Sequence, residues 1–203
     1  MFWLVDWRCW LNSYDVMNLR PPLIALAFLL GALVLFVPRS AAVAVWDESV
    51  NGPLSTDAAS PTSLRCSSGR VNSIISTIGG ANRDYFTFSL APTQSLVEFR
   101  LSSYVSSDPV AWIGLQEGAA WTAGDDVAQM LAQQHFGTAN LGDNLLGVSA
   151  NTPLMAGTYT VRAQQLGAAT SYQLDLTVVP EPSTYALLLM TGAGALWWAR
   201  RRR

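Results

Sequence analysis

Lysine is missing altogether, histidine occurs once, and only two cysteines are present in 203 residues. All twelve basic residues are therefore arginine, a coding bias with no functional content of its own. Charge is sparse, at 13% of the chain, and four of the arginines close it as Arg200 to Arg203. Between Val45 and Val179, five arginines (Arg65, Arg70, Arg83, Arg100 and Arg162) stand against eleven carboxylates, a formal charge of −6 that the whole-chain value of −2 conceals. A nucleic-acid surface needs basic side chains against phosphate, so this balance excludes nucleic acid as a partner. If Cys9 leaves with a targeting peptide, Cys66 stands alone and an internal disulfide is excluded. Cys66 then reads as a half-buried small residue near a loop, and stability has to come from the core.

What is present in quantity is apolar sequence, concentrated at the two ends. Met17-Asn18-Leu19-Arg20 is a short positive opening to the apolar run Leu23 to Val37, which Pro38 ends. Ala42-Val43-Ala44 follows, with small residues at the alternate positions a signal peptidase reads. This is the three-part layout of a secretory signal, with cleavage expected after Ala44, or after Ala42 as the alternative. Residues 1 to 16 carry Asp6, Asp15 and several aromatics, which suit no such opening, so translation is expected to start at Met17. The expected division is a signal region over 1–44, an exported domain over 45–179 and a tail over 180–203.

In the tail, Val179, Pro180, Glu181, Pro182, Ser183 and Thr184 precede the apolar stretch Tyr185 to Ala199, and Arg200, Arg201, Arg202 and Arg203 follow. Each proline fixes its own φ and pushes the preceding residue out of the helical region. Val179 to Pro182 is therefore expected to be extended, exposed and open to a protease, with Ser183 or Thr184 capping a helix start. That helix would be about 22 Å long at 1.5 Å per residue, short of a ~30 Å hydrocarbon core. Snorkelling arginines and local thinning close the gap, and the arginines hold their end on the cytoplasmic side.

These three parts in order resemble the PEP-CTERM sorting signal of Gram-negative bacteria. The resemblance covers about 25 residues and implies processing near Pro180-Glu181-Pro182 by an exosortase, a multi-pass membrane protein with a cysteine nucleophile. It implies transient anchoring in the inner membrane, then display at the cell surface or in the extracellular matrix. It also implies an association with exopolysaccharide and biofilm.

From Val71 onward, apolar residues alternate with period two: Phe86, Phe88 and Leu90; Val97, Phe99 and Leu101; Tyr159, Val161 and Ala163; and Tyr172, Leu174, Leu176 and Val178. Strands with one buried face have this period. Turn residues separate the runs, as at Ser107-Asp108-Pro109 and Asn151-Thr152-Pro153, so the expected fold is mainly β, an antiparallel sandwich. One segment departs from this: Val127, Met130, Leu131 and Gln134 stand at helical spacing, so a short helix capped by Asp125 is expected over Asp125 to Phe136. Residues 45 to 70 are expected to form a loose lead-in with one edge strand. Asp84 to Phe88, Ala156 to Val161 and Tyr172 to Leu176 resemble the bacterial pre-peptidase C-terminal domain over about 95 residues. That resemblance implies a jelly-roll-like sandwich that accompanies secreted enzymes without being catalytic.

Chemistry is thinly represented. His135 has no local nucleophile motif, since Gly147-Val148-Ser149-Ala150-Asn151 fails the Gly-x-Ser-x-Gly pattern at its last position. It reads as a surface histidine, and no catalytic residue or cofactor is expected. Asp125-Asp126 and Asp143-Asn144 could give oxygens to calcium if loops met, but their spacing matches no EF-hand, and Asp125-Asp126 reads more simply as a helix start. Trp46, Tyr104, Trp112 and Trp121 are the aromatics able to stack on a sugar. Trp112 is expected in the core and Trp121 exposed, which makes Trp121 the candidate sugar contact. Two functions follow as expectations: a non-enzymatic envelope or matrix protein, or a carbohydrate-binding module acting on exopolysaccharide.

Overall fold

The computed structural model describes residues 42–79, 82–146, 153–181 and 201. Nine strands occur among them: β1 (Val43–Asp47), β2 (Thr62–Leu64), β3 (Arg70–Ile78), β4 (Arg83–Leu90), β5 (Gln94–Val105), β6 (Val110–Glu117), β7 (Ala132–Gly137), β8 (Gly157–Gln164) and β9 (Thr170–Pro180). They form a four-stranded sheet in the order β1-β3-β9-β5 and a five-stranded sheet in the order β2-β4-β8-β6-β7. The β-sandwich expected from the alternation is present. It is antiparallel except at two edges, where β1 runs parallel to β3 and β2 parallel to β4. Residues 45 to 70 thus supply two edge strands and the buried Leu54 and Leu64, and are a built part of the domain.

β9 is the spine of the smaller sheet. Tyr172, Leu174, Leu176 and Val178 are fully buried, and β9 pairs with β3 on one side and β5 on the other. Opposite them lie Phe86, Phe88, Ile113, Leu115 and Val161 of the larger sheet, in one continuous core. Each such side chain contributes roughly 1.5–3 kcal/mol through burial, so the core carries the stability that no disulfide supplies. The Phe136 and Tyr172 rings meet edge to face at 6.0 Å and tie the two sheets together.

Two sequence expectations change on folding. Val97 is exposed, because a bulge between Leu96 and Glu98 shifts the register and turns Leu96 inward. The helix expected over Asp125 to Phe136 is a single 3-10 turn at Val127–Gln129, followed by β7. The helical-spacing residues Val127 and Leu131 find no face to cover and stay exposed. The open edge of β6 instead takes up residues 132–137 in a ladder, and ladder hydrogen bonds outweigh a weak local helix preference. A short α-helical turn lies elsewhere, α1 (Glu48–Asn51), capped by Asp47.

β1 begins two residues before the expected signal-peptide cleavage point. Cleavage after Ala44 leaves Trp46 and Asp47 paired with Ile74 and Ile75.

Candidate functional site

The inner face of the larger sheet is spent on the core, so its outer face is where side chains are free to act. Alternation from the core residues Phe86, Ile113 and Val161 puts Tyr85, Trp112, Gly114, Thr160, Arg162 and Gln164 on that outer face. Residues 118–131 fold back across it. Their backbone is fixed by Gln116, whose Oε1 accepts from the Thr122 and Ala123 amides and whose Nε2 donates to the Ala120 carbonyl. The loop seats Trp121 against Tyr85 and Trp112, at ring separations of 6.3 Å in each case.

Arg162 is the centre of this arrangement. It is 4% exposed, and its guanidinium carbon lies 5.0 Å from the Trp112 ring centre and 5.8 Å from that of Trp121. Nη1 donates to the Gly124 carbonyl at 2.6 Å and pairs with Asp125 at 2.7 Å, while Nη2 donates to Gln164 Oε1. The buried Nε has no hydrogen-bond acceptor, so the two indoles provide the electron-rich surroundings the cation has left. Arginine suits this place because a planar guanidinium can stack and donate at once. The Asp125 carboxyl is held below its usual range by the Arg162 hydrogen bond and charge.

Beside Arg162 opens a groove of about 410 Å³. Its floor is a row across adjacent strands, since His135 of β7 and Gln164 of β8 are both register partners of Trp112 of β6. Asp125 and Val127 stand on one wall, and Asp108 and Leu166 also line the groove. Trp112 is half-buried, with its ring nitrogen donating to Gln133 Oε1 at 3.1 Å. His135 is exposed, as its sequence suggested.

The aromatic expectations are therefore exchanged. Trp121, expected as the exposed sugar contact, is 6% exposed and donates its ring nitrogen to the Gly124 carbonyl, so it is a packing residue of the loop. Trp112, expected in the core, faces the groove. Tyr104 is buried and donates to the Asp108 carbonyl, and Trp46 packs partly buried against the core. The sequence reading favours Trp121, and the one available signal against it is Gly114, two residues from Trp112 along the same face. A Cβ on Gly114 would lie 2.4 Å from the Trp112 ring and 2.8 Å from that of Trp121, so this glycine makes room for both indoles.

The acidic pairs are engaged elsewhere. Asp126 caps the 3-10 turn by accepting from the Ala128 amide, and Asn144 Oδ1 accepts from the Phe99 amide at the edge of β5. Among the described residues no group of three or more His, Cys, Asp or Glu side chains is placed to hold a metal ion. Cys66 is free and half-buried against the core, and burial pushes its thiol up to about 11.

A buried carboxyl lies between the sheets. Asp84 accepts from the Tyr172 hydroxyl at 2.8 Å and from Ser76 Oγ at 3.2 Å, and the Glu48 carboxylate reaches the same Ser76 hydroxyl. Desolvation by burial raises Asp84 to about 6, against the pull of its two hydrogen bonds.

The tail leaves directly from β9. Val179 and Pro180 are extended as expected, but they are paired with Ser95 and Gln94, and the Glu181 amide donates to the Thr93 carbonyl at 2.8 Å. Val179 is half-buried, so the first half of the motif belongs to the sheet and is not a free strand. Proline is tolerated at a strand end, where its missing N–H costs no ladder bond. Pro182, the apolar stretch 185–199 and Arg200, Arg202 and Arg203 lie outside the described residues, as do the signal region 1–41 and the Gly147-to-Asn151 segment; Arg201 is helical and exposed. No helix among the described residues is long and apolar enough to cross a membrane.

Comparison with known proteins returns a solved structure and a motif. The crystal structure of Salmonella Typhimurium PliG, a periplasmic lysozyme inhibitor of g-type lysozyme, is similar at 11% identity and a TM-score of 0.31, over 58% of this chain and 98% of that one. No curated protein sequence matches. Residues 178–203 match the PEP-CTERM protein-sorting motif, so this chain carries that sorting signal as the continuation of its last strand.

Proposed function

We propose that this is an exported, non-enzymatic protein of the cell envelope or exopolysaccharide matrix of a Gram-negative bacterium. Signal peptidase removes its N-terminal signal, and the apolar stretch 185–199 holds it in the inner membrane. An exosortase-type protease then cuts near Pro180-Glu181-Pro182, and the domain passes to the surface or matrix. The observation that carries this reading is the sorting motif at residues 178–203. The motif match begins at residue 178, within the last residues of β9, so the sorting signal continues directly from the folded domain.

The non-enzymatic part is supported by the state of the two side chains best suited to nucleophilic chemistry. Cys66 is packed against the core as a thiol, and His135 lies exposed on β7 in register with Trp112.

Mass spectrometry of the mature protein from its host tests the proposal at both ends. The expected product begins at Val45 and lacks Arg203. A mature chain that keeps Arg203, or a chain truncated before Tyr185 that reaches the same destination, overturns it.

A further inference from the structure

We propose that the groove over β6, β7 and β8 is a binding site for a neutral saccharide, with Trp112 as the stacking platform. The inference does not rest on the sorting reading, because it concerns the folded domain alone.

A sugar ring presents an apolar face of C–H groups and a rim of hydroxyls. A site for it needs an aromatic face with hydrogen-bonding side chains arranged around it. The row His135–Trp112–Gln164 has this composition, an indole flanked by an imidazole and an amide on neighbouring strands about 4.8 Å apart. Gln164 Oε1 is taken by the Arg162 and Arg83 guanidiniums, which leaves its Nε2 to donate. Asp125 and Asp108 add acceptors to the lining. The volume of about 410 Å³ lies at the low end of the ~300–1,000 Å³ usual for small-ligand sites, which suits a short saccharide segment.

The site is built before any ligand arrives. Trp112 is held by its hydrogen bond to Gln133, by Arg162 over its ring and by the edge of Trp121. A platform fixed in this way loses little freedom on binding.

Charge selects the ligand class. Asp108 and Asp125 line the groove, while the one guanidinium is buried and already paired with Asp125. An acidic sugar would meet two carboxylates in the lining, while Arg162 is committed to Asp125 and the Arg83 guanidinium at the margin donates to Gln164, so the occupant is a neutral sugar.

The test uses the full-length chain in a zwitterionic detergent without a sugar headgroup. Binding of cello-, malto- and chito-oligosaccharides and of oligogalacturonate is measured by calorimetry. At least one neutral series is expected to bind and oligogalacturonate is not. Trp112→Ala should weaken binding by about tenfold or more, as loss of a central aromatic anchor does. Because Trp112 also packs on Arg162, His135→Ala provides a variant at an exposed position that keeps the fold, and it should weaken binding measurably. Binding by oligogalacturonate alone, binding by none of the probes, or neutral binding that His135→Ala leaves unchanged overturns the proposal. None of these results touches the mature-end masses, so the sorting reading stands or falls separately.

Discussion

Replacing Asp84 by asparagine should make this protein more stable at neutral pH. Asp84 is 3% exposed between the sheets, and burial raises its pKa from the ordinary 3.8 to about 6. The folded state therefore holds a proton on Asp84 that the unfolded chain has already released between these two values. Stability contributed by this group is greatest below the unfolded value and falls as pH rises towards the folded one. Above about pH 6 the folded protein carries a carboxylate it disfavours, at a cost of about 3 kcal/mol at 1.36 kcal/mol per pKa unit. Asparagine keeps an oxygen to accept from the Tyr172 hydroxyl and places an amide near Ser76 and Glu48, the other groups facing the site. Tyr172 itself stays protonated as the donor, since burial and the Asp84 charge lift its pKa well above the usual range. Urea unfolding followed by tryptophan fluorescence, from about pH 4 to about pH 8, should show the advantage of Asp84→Asn growing by about 2.5 kcal/mol across the series. Comparing the two proteins at each pH cancels the other carboxylates. Parallel profiles, or a wild type that gains on the variant as pH rises, would refute the reasoning.

Other substitutions test the outer-face cluster and the thiol. Arg162→Met removes the donor to Gly124 and Gln164 and the cation between two indoles, and should cost about 2–3 kcal/mol in urea denaturation. Asp125→Asn should lower the melting temperature, but by less than Arg162→Met does, because asparagine keeps an oxygen for Nη1 and Asp125 is 82% exposed, while the buried Arg162 loses its carboxylate. Gly114→Ala forces a methyl into the Trp112 and Trp121 rings, and should destabilise by about 1–3 kcal/mol while altering the emission spectrum. Cys66 should resist a thiol reagent at neutral pH in the folded protein and react promptly in denaturant, because burial pushes its thiol up to about 11.

The strands that were legible in advance are those whose apolar residues sit at strict period two and end up on the buried side of a sheet. Tyr172, Leu174, Leu176 and Val178 announce β9 for this reason, and Phe86, Phe88 and Leu90 announce β4. Val97 misled because a bulge is a backbone event that leaves no mark on the alternation before it. The stretch 125–136 misled because apolar residues at helical spacing need one face to cover, and only Met130 found a packing partner while Val127 and Leu131 stayed exposed. The groove was not legible at all. Its row of His135, Trp112 and Gln164 joins residues up to 52 positions apart through strand register, as the pairing of Trp112 with Gln164 records.

The sequence by itself determined the sandwich class, the acidic character of the domain and the three-part tail, because each is written in local composition and spacing. Period two, net charge and the order of proline, apolar run and arginine all survive whatever the rest of the chain does. Tertiary structure alone decided that Trp121 is covered and Trp112 is presented. It also tied the start of the sorting motif into the sheet beside β5. Burial of a given aromatic depends on which loop crosses which face, and the freedom of a strand end depends on its neighbour's ladder. Both are settled by residues far away along the chain.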